Sequence, residues 1–312
     1  MQRYRVILPR LLHLLPVLLG ISIVSFLLVQ LIPGDPIRLL VGPRAGEDVI
    51  AVIRARYGLD QPLLQQYLTY LGNVFQGDLG QSIVYRKPVS ELIMERLPKT
   101  LFLAAYVVCM TVPSTIILAV TAARHQGHKT DHIITTSAVF GITIPVFWLG
   151  IMMARLFGVE LGWFPVSGYG NDFLGHLHHL FLPALSTAIW MVPVLVRNLR
   201  AAILEQMEAD YVVAGRSKGL PERYLFFYHI LKNSLLPTLN LFGVMVAFLI
   251  GGTVIVETVY AVPGLGQLMI SSIFGRDYYV VQAITLFYAV VTITVTLAVD
   301  IISTMIDPRV KL

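Results

Sequence analysis

Few residues able to do chemistry lie within or beside the long apolar runs of this chain: Asp300, Glu257, Arg155 and His13. An ionisable side chain held in an apolar medium is a candidate for a relay or a binding role. Asp300 and Glu257, however, fall near the ends of their runs, where interfacial water reaches, so capping or anchoring is the expected role. Arg155 is placed to snorkel toward water along its own stem, and His13 reads as a histidine satisfied inside a helix bundle. A second group is His176-x-His178-His179. His176 and His178 are metal candidates, since imidazoles so spaced can touch a passing cation; the alternative is ordinary loop histidines. His125, His128 and His132, beside Lys129, read as a basic, partly titrating loop.

Other reactive patterns are missing. The chain has no H-E-x-x-H zinc pair, and its G-x-S-x-G match, Gly215 to Gly219, lacks the preceding strand of a nucleophile elbow. Nor does it have G-x-x-x-x-G-K-[ST]; Gly215-Arg216-Ser217-Lys218-Gly219 offers glycines and a lysine without that spacing or a preceding strand. An enzyme is therefore not expected, and the chain shows no energy source of its own. Either it is a passive pore, or another subunit supplies the work.

The elements that hold these residues are membrane helices. Of 312 residues, 56% are hydrophobic and 13% charged, against about 25% charged in a soluble domain; mean hydropathy is +0.74. The single cysteine, Cys109, excludes an internal disulfide and a cysteine metal cage. A net charge of +5 fits basic loops flanking a lipid-facing body rather than nucleic-acid binding. Stretches 11–32, 100–123, 133–157, 180–196, 235–256 and 280–302 meet or approach the roughly 20 residues needed to span a bilayer. The predicted fold is an all-α polytopic membrane protein with six transmembrane helices. The first stretch is read as a retained span, because it is too long for a signal-peptide core and no small-x-small cleavage pattern closes it. Proline and glycine at Pro16, Gly20, Pro113, Gly141, Pro145, Pro183, Pro193 and Gly251-Gly252 read either as ordinary bundle packing or as bending points.

Basic residues orient the spans. Arg3, Arg5, Arg10, Arg124, Lys129, Arg197, Arg200, Arg216, Lys218, Arg223, Lys232, Arg309 and Lys311 fall at the two ends and in the second-to-third and fourth-to-fifth connections. The short loops of opposite parity hold only Arg276. Both termini and the 197–234 connection are thus predicted to be cytoplasmic. Three regions follow: 1–32, the N-terminus and span one; 33–99, an external helical insertion; and 100–312, the core with spans two to six. Within the insertion, helices are expected around 49–57 and 62–75, with Pro62 as first helical residue, Asp60 as cap, and Gly77, Asp78 and Gly80 as breakers.

Segment 205–233 of the core is too charged to span yet has helical patterning. Asp210 is predicted to cap a helix over 211–218, which Gly219 ends in the left-handed region. Leu220 and Pro221 start a second helix with Glu222 in its first turn, and Pro237 opens span five. One reading is an amphipathic helix lying on the membrane. The other is a helix–Gly–helix knob offered to a partner's groove, so that partner motion rocks spans four and five.

The residues Asp210-Tyr211-Val212-Val213-Ala214-Gly215-Arg216-Ser217-Lys218-Gly219-Leu220, with Asn233 through Pro237, resemble the cytoplasmic coupling motif of ABC-importer permeases, most closely the dipeptide/oligopeptide/nickel permease family. Further stretches resemble it in the same order. They are Leu31-Ile32-Pro33-Gly34-Asp35-Pro36, Gly58-Leu59-Asp60-Gln61-Pro62-Leu63, Gly77-Asp78-Leu79-Gly80, Glu95-Arg96-Leu97-Pro98, Phe147-Trp148-Leu149-Gly150, Leu182-Pro183-Ala184, Pro263-Gly264-Leu265-Gly266, Arg276-Asp277-Tyr278 and Asp307-Pro308-Arg309. The general E-A-A consensus is replaced by Val213-Ala214-Gly215, and Pro237 lies farther on than that consensus places its Leu-Pro. Gly215 is expected to loosen the first helix, since glycine costs about 1 kcal/mol there.

The resemblance implies a bacterial inner-membrane permease subunit carrying peptides, glutathione-like molecules, or nickel and its chelates. It implies a second homologous permease, two cytoplasmic ATPases docked on Asp210–Leu220, and an external binding protein. ATP and magnesium belong to those ATPases; no cofactor is expected in this chain. Glu257 with Pro263, Gly264 and Gly266 reads either as an external gate or lip, or as a tight connecting turn.

Overall fold

The computed structural model describes residues 16–27, 36–42, 46–56, 58 and 60–306. The N-terminal arginines, His13, positions 31–35, the side chain of Asp300 and the 307–309 tail, all named above, lie outside the described residues. The described chain is helical throughout, with no strand; an isolated bridge joins Gln81 to Pro88. Four short or medium helices come first: α1 (Pro16–Leu27), α2 (Pro36–Val41), α3 (Glu47–Arg56) and α4 (Leu63–Phe75). Then follow α5 (Val89–Arg124), α6 (Lys129–Thr143), α7 (Val146–Met153, continued by a π turn over Ala154–Glu160), α8 (Phe173–Met207) and α9 (Asp210–Ser217). The last are α10 (Glu222–Tyr224), which runs through a π segment (Leu225–Leu231) into α11 (Lys232–Val259), then α12 (Leu265–Phe274) and α13 (Tyr278–Ile306).

Among the described residues four helices are long and apolar enough to cross a membrane: α5, α8, the continuous Glu222–Val259 helix and α13. The predicted third span differs from expectation. It is two helices, α6 and α7, bent by 99°. The break falls at Ile144-Pro145, both in extended conformation (φ −82°, ψ 123° and φ −61°, ψ 133°). Proline removes an amide donor and its ring disfavours the helical region for the residue before it, so a helix is readily broken there. Pro183 and Pro193, by contrast, lie inside an unbroken α8. There, α6 packs closely on the second proline: a Cβ at Gly141 would stand 2.8 Å from the Pro193 ring and 3.0 Å from the Ile189 carbonyl.

Span five was expected to begin at Pro237, but Pro237 lies inside α11 and the helix begins fifteen residues earlier, at Glu222. A π segment, Leu225–Leu231, precedes Pro237 in the same continuous helix. In the insertion, Pro62 is the N-cap of α4 rather than its first helical residue, and no side chain caps that end. Asp78 instead accepts the Gly80 amide at 2.8 Å and shapes the turn after α4.

The chain divides into two compact units, with divisions inside α5, between α11 and α12, and inside α13. One comprises Met1–Pro98 and Pro263–Val291. Its core joins Val89, Leu92 and Ile93 of α5 to Leu265 and Leu268 of α12 and to Val280, Ala283 and Ile284 of α13. The other comprises Lys99–Val262 and Thr292–Leu312. It has an apolar centre around Leu103, Leu182, Met191, Leu249 and Tyr260, and a second cluster at the end of α5 and α8.

Candidate functional site

The predicted coupling segment forms a closed hairpin. Helix α9 begins at Asp210, with Ala209 as N-cap and no side-chain cap, so Asp210 is the first helical residue, where its charge meets the helix dipole. The other end is a Schellman turn: the Leu220 amide bonds the Gly215 carbonyl at 3.2 Å and the Gly219 amide bonds that of Arg216 at 2.9 Å. Gly219 supplies the required left-handed φ of +77°, and open space surrounds the place a Cβ would occupy. Gly215 acts by size: a Cβ there would stand 2.6 Å from Leu225 Cδ2. The glycine that weakens α9 on propensity thus lets the two legs of the hairpin meet.

Val212 is buried with Ala119 and Ala123 of α5, Val196, Leu199 and Ile203 of α8, and Phe226 and Ile230 of the second leg. The Arg124 guanidinium stands 5.7 Å from the Phe226 ring centroid, a cation–π contact. Tyr211 donates its hydroxyl to Gln206 Oε1 at 2.7 Å and accepts from Asn233 at 3.3 Å. Arg216 spans the turn to Glu222, Nε to Oε1 at 2.7 Å, and that hydrogen bond holds its guanidinium above the ordinary arginine range. Ser217 bonds back to the Val213 carbonyl. Outward lie Ala214, Lys218 and Leu220, with the exposed Val213, Tyr224, Phe227 and Tyr228. A small, stiff, aromatic-rich surface with its central charge already paired suits a protein groove.

Glu257 is not at the water's edge as expected. It is fully buried near the end of α11 and accepts the Thr100 hydroxyl at 2.7 Å. Tyr260, which sequence reasoning passed over, pins this helix end. Its buried hydroxyl donates to the Gly150 carbonyl at 3.0 Å and lies 2.9 Å from Ser186 Oγ, and its own carbonyl accepts the Gly168 amide. Pro263, Gly264 and Gly266 belong to the other compact unit, where Gly264 is the N-cap of α12 and Gly266 is buried in its first turn.

The histidines are engaged separately. His176 stacks on Tyr169 at 4.0 Å with Nδ1 2.8 Å from the Tyr169 carbonyl. His178 Nε2 lies 3.0 Å from the Trp163 carbonyl. Among the described residues no group of three or more His, Cys, Asp or Glu could hold a metal ion. Arg155 pairs with Glu160 at 2.9 Å instead of standing alone.

Two acids carry roles that sequence reasoning missed. Asp131, buried, receives Arg200 Nε at 2.7 Å and Nη2 at 2.6 Å, along with the Gly127 amide at 3.1 Å. Asp277, also buried, accepts the Ser82 hydroxyl and the amides of Ile83 and Val84 at 3.2 and 3.1 Å. Their partners lie 69 and about 195 residues away, beyond the reach of any local pattern. An apolar groove of about 540 Å³ between α5, α6 and α8 is lined by Cys109, Pro113, Ile134, Leu185 and Pro193 and has no charged residue in its wall.

The described residues form an apolar helical body with several helices long enough to cross a membrane. The chain belongs to the family of binding-protein-dependent transport system inner membrane components, which matches residues 94–312, with the family's N-terminal region matching residues 3–104. It is a multi-pass protein of the bacterial inner membrane and a permease of the ABC-importer type. It is 39% identical over 311 residues to the oligopeptide transport system permease protein AppB of Bacillus subtilis, covering 98% of each chain. It is 37% identical over 305 residues to the glutathione transport system permease protein GsiC of Salmonella choleraesuis, again covering 98% of each. An inward-facing structure of the MetNI methionine ABC transporter shares the fold, with a TM-score of 0.55 at 18% identity over 69% of this chain and 96% of that one.

Proposed function

We propose that this chain is the membrane-spanning subunit of an ATP-driven importer that moves peptides, or peptide-like molecules of the glutathione class, from the external side into the cytoplasm. In this reading there are six spans with both termini cytoplasmic: α1, α5, the bent pair α6–α7, α8, the Glu222–Val259 helix and α13. The placement of Lys and Arg supports that orientation. A second homologous permease completes the path, two ATPases with their ATP and magnesium dock on Asp210–Leu220, and an external binding protein delivers cargo.

The observation that carries the coupling role is the hairpin itself. Its turn is locked by two backbone bonds, and its second leg is one helix with α11. That helix runs 38 residues from Glu222 to Val259, about 57 Å, so one continuous helix joins the hairpin to the Glu257 end of α11. Val212 and the Arg124–Phe226 contact join the hairpin to α5 as well. Lys218 and the exposed aromatics make the contacts to the ATPase. Glu257, and separately the Pro263, Gly264 and Gly266 turn, remain the candidates for the external lip.

Peptide cargo follows from what the named relatives carry, and nickel is kept as an arm of the test. Uptake of labelled dipeptide, glutathione and nickel is measured in cells with and without the gene. Loss of peptide or glutathione uptake with nickel unchanged is expected; loss of nickel alone would overturn the cargo. In membrane vesicles holding the assembled transporter, uptake without ATP would make the chain a passive channel. Gly219→Leu is expected to abolish ATP-dependent uptake while membrane insertion stays normal, and uptake at the normal rate would refute the coupling role.

A further inference from the structure

Helix α4 has one face more than its place beside α1 explains. Its sequence, LLQQYLTYLGNVF, contains no Asp, Glu, Lys or Arg. At about 100° per residue its side chains divide into three arcs rather than two. Leu63, Tyr67, Tyr70 and Val74 share the first, whose two tyrosines pack on α1. The Tyr67 hydroxyl is 2.8 Å from Ser22 Oγ, and the Phe26 ring lies 5.4 Å from Tyr67 and 6.3 Å from Tyr70. Gln65, Gln66, Thr69 and Asn73 form a polar arc. Between these lies a second apolar arc of Leu64, Leu68, Leu71 and Phe75. Leu64, Leu68 and Phe75 are 71%, 59% and 88% exposed, and α4 has no buried residue.

An amphipathic helix standing in water needs one apolar arc, for the protein it covers. A second arc calls for a second apolar neighbour. The first arc says which. It holds α4 against Ser22 and Phe26, inside the apolar run of α1, whose outward residues Val17, Leu19, Val24 and Leu27 are all apolar and half-exposed. Leu64, Leu68 and Phe75 add to that exposed apolar surface, and the arc beside them is polar but uncharged, which suits the headgroup level. We infer that α4 lies in the membrane interface with Leu64, Leu68, Leu71 and Phe75 among the acyl chains, so that the 33–99 insertion is anchored to the bilayer and does not stand clear in water.

The test uses the assembled transporter in vesicles of phosphatidylethanolamine with phosphatidylglycerol. Cys109→Ser removes the single native thiol, and nitroxide labels are placed one at a time at Leu64→Cys, Leu68→Cys, Phe75→Cys, Gln65→Cys, Thr69→Cys and Asn73→Cys. Spin-relaxation accessibility is then read with oxygen, which concentrates in lipid, and with chromium oxalate, which stays in water. The expected ratio favours oxygen at 64, 68 and 75 and inverts at 65, 69 and 73. Access of chromium oxalate to 64, 68 and 75 would put the arc in water and overturn the inference. Exclusion of both reagents there would put a protein partner on it and overturn it equally. A variant that fails to assemble leaves the remaining positions of its arc to give the same reading, and neither outcome depends on what the chain transports.

Discussion

The hairpin after α8 and the clasp around Asp277 both fix a turn against the end of a long helix, but they find their partners at different distances along the chain. The hairpin is assembled from residues a few positions apart: Gly219 with Arg216, Leu220 with Gly215, Arg216 with Glu222. The clasp draws Ser82, Ile83 and Val84 to an aspartate about 195 residues away. The first therefore depends on the backbone conformation of Gly219 and on the close packing of Gly215 against Leu225. The second depends on one buried charge whose removal strands several donors at once. The two should fail differently.

The largest effect is expected at the clasp. Asp277→Ala leaves a buried hydroxyl and two amides without an acceptor, on the order of 3–5 kcal/mol. Thermal unfolding of the purified permease should show the loss, together with faster proteolysis between Gly77 and Pro98; a melting point within a degree of the parent would mean that the clasp is dispensable. Next comes Asp131→Asn, which leaves the partly exposed Arg200 without its carboxylate, at about 2–3 kcal/mol. A double-mutant cycle with Arg200→Gln reads the coupling directly, and an additive result would show that the pair contributes nothing beyond its parts.

Within the hairpin, Gly219→Ala places a Cβ in the left-handed region at a cost of about 1–2 kcal/mol, and no neighbour adds to it. Gly219→Asn, which tolerates that conformation, should recover most of the ATP-dependent uptake. Equal uptake by the two variants would show that φ at 219 is not what matters. The smallest effect is expected for Glu222→Gln. The pair it forms with Arg216 is exposed and screened by salt, so its loss should cost no more than about 1 kcal/mol. A large fall in uptake with unchanged stability would instead place Glu222 in contact with the ATPase.

The same contrast separates what was legible in the sequence from what was not. Hydropathy announced a membrane protein, because a helix in lipid must be apolar over most of its length. The order of short motifs announced the permease family. Gly219 and the proline after it announced the hairpin turn, since few residues accept a positive φ. These features are local, and local chemistry can be read from local sequence. The 99° break at Ile144-Pro145 was only half legible. Proline marks both breaks and passages, and Pro183, Pro193 and Pro237 are carried inside unbroken helices.

Tertiary structure alone decided the rest. Asp131 took Arg200, Asp277 took the turn at 82–84, Glu257 was buried against Thr100, and Tyr260 pinned the end of α11. Each is a polar group placed where water does not reach. Such a group must find its partner wherever the fold brings one, and sequence separation imposes no rule on that choice.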